Sequence, residues 1–170
     1  MDNILNQQNN TLNLPSYSTP FNVDFFLQSK PKGYFTEHTR RVLSLPESAQ
    51  NIMVDLSTAE FIEENLGQAF GLSADQKTEL TRIIRDILLA DAFLGDFPAL
   101  VSSKLGVEMN TANQIAQKIV AELFVPAIED IKNIQREKFK DRIAQAKSNQ
   151  TQQLPPNTEQ GNVINLRNNQ

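Results

Sequence analysis

The strongest pattern along the chain is helical. Leu80, Ile83, Ile84, Ile87 and Leu88 recur at offsets of three, four, seven and eight from Leu80, which places them on one broad face of an α-helix. Ser73 followed by Gln76 predicts a capping box at its start, and the stretch from Ala92 to Gly95 ends it. The stretch GLSADQKTELTRIIRDILL (Gly71 to Leu89) has an echo 35 residues later, GVEMNTANQIAQKIVAELF (Gly106 to Phe124). Leu80 matches Ile115, Ile84 matches Ile119, Leu88 matches Leu123 and Leu89 matches Phe124. Either a structural unit has been duplicated, or two helices obey the same rules of capping and amphipathicity.

Further helices surround this pair. Pro46 suits the first turn of a helix running to about Asp55. Ser57 with Glu60 predicts another capping box, for a helix that presents Phe61, Ile62, Leu66, Ala69 and Phe70 and stops at Gly71. Asp96 is the expected cap of a short helix carrying Phe97, Leu100, Val101 and Leu105, with Gly106 as its stop. Thr111 with Gln114 is the third box, opening a helix with Ala112, Ile115, Ala116, Ile119 and Leu123 inward. Pro126 removes a backbone donor, so a kink or a new helix start is expected there. Beyond it Ile131, Ile134, Phe139 and Ile143 continue thinly.

No segment alternates with period two. The predicted architecture is therefore all-α: a compact bundle of five or six helices over residues 42–131, with helix-turn-helix-like units. A basic helix over 132–148 is expected to project from it. Residues 1–41 read as a mostly disordered tail, rich in Asn, Gln, Ser, Thr and Pro over 1–20 and interrupted by an apolar island at 21–35. Residues 149–170, of the same composition, read as a second disordered tail.

The succession LPESAQ, TAEFI, GLSADQ, IIRDILLADAF and LGVEMNTANQIAQKIVAELFVPAI resembles an uncharacterised small helical domain of candidate-phyla (Parcubacteria-type) bacterial proteins. The resemblance covers roughly residues 45–131. It implies a small helical module and carries no known activity.

Charge sharpens the picture. Residues 37–131 hold 15 acidic and 7 basic side chains, whereas 132–147 hold 6 basic and 2 acidic. An acidic body with one basic stretch is not a general polyanion-binding surface. The chain has no cysteine, which excludes disulfides, thiolate metal sites and cysteine nucleophiles. MDNILNQQNN lacks the basic and apolar parts of a signal peptide, and no apolar run approaches the ~18 residues of a membrane span. A cytoplasmic protein is the expectation.

Candidate chemistry is sparse. The single histidine, His38, lies in the polar segment TEHTRR and reads as a solvated linker residue; only a deep polar pocket around it would suggest otherwise. No G-x-S-x-G elbow and no glycine-rich phosphate loop occur. Glu60 and Glu64 share a helix face, but a di-metal carboxylate bundle also needs Glu-x-x-His pairs that one histidine cannot supply. Neither an enzyme nor a cofactor-binding protein is expected.

The sharpest rival is DNA reading. In PALVSSKLGVEMNTANQIAQKIV, Gly106 falls at a turn, and Ala112 and Ile115 would pack a second helix on Val101 and Leu105. That second helix would turn Asn110, Thr111, Asn113, Gln114, Gln117 and Lys118 outward, and Asn and Gln can read adenine edges. Phosphate neutralisation supplies much of DNA affinity, yet Lys104 and Lys118 stand against Glu108 and Glu122. Nucleic acid is the less favoured partner.

The tails offer another lead. Phe21, Phe25 and Phe26 cluster in FNVDFFLQ, which would either dock on the bundle or order on a partner. Val163, Ile164 and Leu166 form a similar island near the C-terminus. The favoured reading is a non-enzymatic interaction or adaptor module, binding another protein through apolar helix surfaces or these tail motifs.

Overall fold

Two glycines in the left-handed region, Gly71 (φ 62°) and Gly106 (φ 67°), turn the chain between successive helices of the acidic body. The computed structural model describes residues 18–25 and 30–151, and these are all-α, without a strand. Helix α1 spans Tyr34–Leu43, α2 spans Glu47–Val54 and α3 spans Leu56–Glu60. A π-helical segment, Phe61–Leu66, continues α3 into α4, Gly67–Phe70. Helix α5 is Ala74–Leu88, α6 is Phe97–Leu105 and α7 is Met109–Lys118. A second π-helical segment, Ile119–Leu123, and a 3₁₀ turn, Val125–Ala127, lead into α8, Ile128–Lys138. The chain divides at this point, and α9, Lys140–Thr151, belongs to a separate unit beginning at Phe139.

The core follows from the apolar stripe. Leu80, Ile84 and Ile87 of α5 are fully buried, together with Leu66, Val101, Ile115, Ile119, Phe124 and Ile131. Phe97 and Phe124 stack with centroids 6.0 Å apart, closing the layer between α6 and the end of the second π-helical segment. Each large aliphatic side chain removed from water contributes roughly 1.5–3 kcal/mol, so this cluster dominates the stability of the body.

The 35-residue echo corresponds to repeated geometry. Each copy is a helix, a left-handed glycine, an apolar residue and a second helix, with Leu66 and Val101, Leu80 and Ile115, and Ile84 and Ile119 buried in matching positions. Lys77 stands where the second copy has buried Ala112, and it forms an ion pair with Glu63. Space for its stem comes from Gly67: a Cβ built there would lie 3.0 Å from Lys77 Cδ. Gly67 is the counterpart of Ser102, whose hydroxyl instead donates to the Val107 carbonyl at 2.7 Å.

Several boundaries differ from those read in the sequence. The Ser73–Gln76 capping box is present. Ser57, however, is not a cap, because Asp55 two residues earlier caps the helix and accepts its amide at 2.8 Å. Thr111 and Gln114 form no box either: Glu108, with extended backbone at φ −61° and ψ 150°, starts α7 at Met109, and Thr111 lies inside the helix. Pro126 sits in the 3₁₀ turn that precedes a new helix.

Two larger corrections concern the ends of the body. Ordered helix begins at Tyr34, within the stretch 1–41 read as mostly disordered, and His38 on α1 is buried at 5% exposure instead of lying in a solvated linker. The basic stretch 132–148 is not one projecting helix. Residues 132–138 continue α8 in the main unit, where Gln135 is buried.

That glutamine accounts for how α5 ends. Ala90 takes a left-handed φ of 52°, which costs a residue with a Cβ about 1–2 kcal/mol. Gln135 Nε2 donates to the carbonyls of Ile87 and Ala92, both at 2.9 Å, and its Oε1 accepts the Leu94 amide at 3.0 Å. One side chain thus bonds three backbone groups of a partly buried turn.

Candidate functional site

The segment 18–25 is a strap lying against α1, α2 and α5. Local turns shape it, with Asn22 and Val23 amides both donating to the Thr19 carbonyl at 3.1 Å. The Phe21 amide donates to the Met53 carbonyl at 2.9 Å, tying the strap to the end of α2. Its charged anchor is Asp24, 3% exposed. Arg85 Nη1 donates to that carboxylate at 2.7 Å and Arg82 Nε at 2.9 Å, with Lys30 Nζ at 2.9 Å. Burial alone would push the Asp24 carboxyl up, but the hydrogen bonds from these three cations outweigh it and hold the group well below the usual carboxylate range.

His38 is the second anchor. Its Nε2 lies 3.0 Å from the Phe21 carbonyl, so the neutral ring donates from that nitrogen. The imidazole stacks on Phe21 (centroids 5.4 Å) and on Tyr34 (5.8 Å). Burial depresses its pKa below the ordinary histidine value, against the opposing effect of the Phe21 bond.

Phe25 carries the strap outward. It meets Phe21 and Phe35 edge-on, each at 4.8 Å between centroids, and with Phe35 forms one end of an open groove along α1. The groove has a volume of about 650 Å³ and is completed by Thr36, Thr39, Arg40, Leu43 and Ser44. Leu43 is 68% exposed, the most open large apolar side chain among the described residues. Arg40 on the groove's lining pairs with Glu37, its Nη2 donating at 2.8 Å.

A smaller polar cavity of about 360 Å³ lies on the other flank of α1, lined by His38, Tyr34, Lys30, Arg41, Arg85 and Asp91 among others. Its charges are matched internally. Arg41 donates to Asp91 at 2.7 Å, Arg85 to Asp24 and to Asp86 (Nε at 2.9 Å), and Lys30 to Asp24. The residues lining it include no Ser, Thr or Cys to serve as a nucleophile beside His38.

Other residues singled out in the sequence fall elsewhere. Phe26, Val163, Ile164 and Leu166 lie outside the described residues. On α7, Asn110 and Gln114 are exposed, Thr111 is half-buried, and Asn113 Nδ2 donates to the Met109 carbonyl of its own helix at 2.9 Å. Lys118 pairs with Glu122 at 2.6 Å and lies 5.9 Å from the Phe61 ring centroid. Glu63, which lies between the two carboxylates considered for metals, pairs with Lys77. Among the described residues, no helix is long and apolar enough to cross a membrane. Sequence reasoning missed Asp24, Arg82 and Arg85, because a lone carboxylate in a polar segment gives no local sign of partners about sixty residues away.

Compared with known proteins, the chain matches no family model, no curated protein sequence and no solved structure.

Proposed function

We propose that the chain is a non-enzymatic interaction module that binds another protein through the apolar groove on α1. The observation that carries this reading is Leu43, left open in a groove that Phe25 and Phe35 also line, together with hydroxylated and charged side chains. An apolar patch rimmed by polar groups is the usual form of a protein contact site. The polar cavity beside His38 supports catalysis poorly, since its charges are already paired.

The test compares capture of binding partners by the intact chain, by Leu43→Glu and by a chain lacking residues 149–170. Loss of capture with Leu43→Glu alone supports the groove. Loss with the truncation alone moves the site to the motif at Val163, Ile164 and Leu166. Undiminished capture by both variants sinks the reading.

A second reading, DNA recognition by α7, draws on the left-handed turn at Gly106 and the exposed Asn110 and Gln114. Against it, Asn113 and Lys118 are engaged within their own helical stretch. Fluorescence anisotropy with duplex DNA at two salt concentrations decides it, since phosphate-driven binding must weaken as salt rises.

A further inference from the structure

We propose that the cleft between α1, α2 and α5 is a peptide-recognition site and that the strap 18–25 is its tethered occupant. A partner protein enters by presenting a segment of the same chemistry, an aromatic residue with a carboxylate three positions on. This goes beyond the α1 groove and does not rest on it.

The strap is attached as a bound peptide is attached. Its turns consume backbone groups internally, with the Asn22 and Val23 amides donating to Thr19 and the Phe25 amide to Asn22. Among the described residues one backbone–backbone hydrogen bond crosses to the body, from the Phe21 amide to the Met53 carbonyl. The rest is side-chain recognition at two anchors. The Phe21 ring stacks on His38, and its carbonyl accepts from His38 Nε2 at 3.0 Å. Asp24 is reached by Arg85 at 2.7 Å and by Arg82 and Lys30 at 2.9 Å.

The body's own residues build the receiving groups. Arg82 and Arg85 lie three apart on α5, so their guanidinium groups leave one face of the helix. Each is also held by a carboxylate of that helix, Arg82 by Glu79 and Arg85 by Asp86. His38 is likewise stacked on Tyr34 of its own helix. A socket arranged in this way spends little entropy on ordering when a carboxylate and a ring enter it.

Two features make the strap replaceable. A buried ion pair adds little net stability over apolar contacts of the same size, yet it rejects any occupant without the charge, so the socket selects more than it holds. Asn22 Oδ1, between the two anchors in sequence, is buried with no hydrogen-bond partner among the described residues. The strap leaves the desolvation of that oxygen without compensation. Covalent attachment offsets both, because it holds the strap at an effective concentration of roughly millimolar order. Weak ligands are therefore shut out, and a tighter segment gets in.

Fluorescence anisotropy of a labelled peptide of residues 18–25, titrated with the full chain, tests this. The peptide should bind Asp24→Ala, whose own strap has lost its charged anchor, at least about tenfold more tightly than it binds the unaltered chain. A peptide with asparagine in place of its aspartate should lose that binding. Leu43→Glu, introduced beside Asp24→Ala, should leave the affinity unchanged. Circular dichroism checks that Asp24→Ala folds, and Asp24→Asn takes its place if it does not. Equal affinity for the unaltered chain and the variant overturns the proposal, as does no binding to either up to millimolar concentration. Equal binding of the asparagine peptide overturns it too. If Leu43→Glu abolishes peptide binding, the peptide sits in the α1 groove: the cleft is rejected and the groove reading stands.

Discussion

Arg85 donates a 2.7 Å hydrogen bond to Asp24, joining α5 to a strap that lies 61 residues earlier in the chain. This link, shared with Arg82 and Lys30, holds Phe25 in position as a wall of the α1 groove. Replacing Asp24 by Ala leaves two guanidinium groups without their buried acceptor. The expected cost is about 2 kcal/mol in urea unfolding, in line with loss of charge-assisted hydrogen bonds. The Phe21 amide should exchange faster in the same variant. Because the folded carboxyl is depressed, its contribution is present above the unfolded value of about 3.9 and is lost only as pH falls through the folded value. The strap should therefore hold throughout the neutral and mildly acidic range. A cost near zero, with unchanged exchange at Phe21, would show that the strap is held by its aromatics alone.

His38 gives a pH prediction with a clean reporter, since it is the chain's one histidine. Burial lowers its pKa, and Arg85 and Arg41 push in the same direction, while Phe21's carbonyl and Asp24 oppose them. The imidazole resonances in an NMR titration should have a midpoint below the ordinary value of about 6.5. The sign for stability follows from linkage. Between the folded value and about 6.5 the unfolded chain binds more protons, so stability is fully present above that range and declines as pH falls through it. His38→Gln should lack this component of the pH dependence. Asp86, whose carboxyl burial pushes up, contributes with the opposite sign, so NMR is the better discriminator. A midpoint at or above the ordinary histidine value would refute the buried neutral state.

Gln135 and Ala90 form a pair in which one residue stores strain and the other contains it. Gln135→Ala strands the Ala92 carbonyl and the Leu94 amide and leaves the Ile87 carbonyl with its backbone bond from Ala90, at a cost of about 2 kcal/mol. Ala90→Gly relieves the left-handed backbone, and the expected change is neutral or up to about 1 kcal/mol stabilising. Thermal unfolding of both variants checks the pair. A destabilising Ala90→Gly would mean that its methyl group contributes more by packing than it costs in strain.

These cases show which features local pattern could reveal. The α5 stripe and the Ser73–Gln76 box were legible because both are contained within a few turns of one helix. The start of α7 was not, since nothing in VEMNT distinguishes an extended Glu108 from a capping Thr111 until the turn at Gly106 is built. His38 and Gln135 were misplaced for a shared reason. Each is polar by composition and buried by partners far away in sequence, the strap in one case and the end of α5 in the other. The groove was partly visible: Phe25 stood out, but Leu43 gains its meaning only once Phe25 is folded beside α1.

The repeated helix-turn-helix geometry makes a prediction about pairs of residues. In the first unit Gly67 and Lys77 occupy the positions that Ser102 and Ala112 hold in the second. A side chain at Gly67 would meet Lys77 Cδ at 3.0 Å and the Ile62 carbonyl at 3.3 Å, so Gly67→Ser must displace the lysine stem. Lys77→Ala removes the stem and the ion pair to Glu63, a partly exposed bridge worth up to about 1 kcal/mol. The two changes together recreate the second unit's combination within the first. The double variant should be more stable than the sum of the single effects implies, by about 0.5–1 kcal/mol in a double-mutant cycle. Simple additivity would indicate that the lysine stem moves aside freely, and that the two units share a turn without sharing a packing rule.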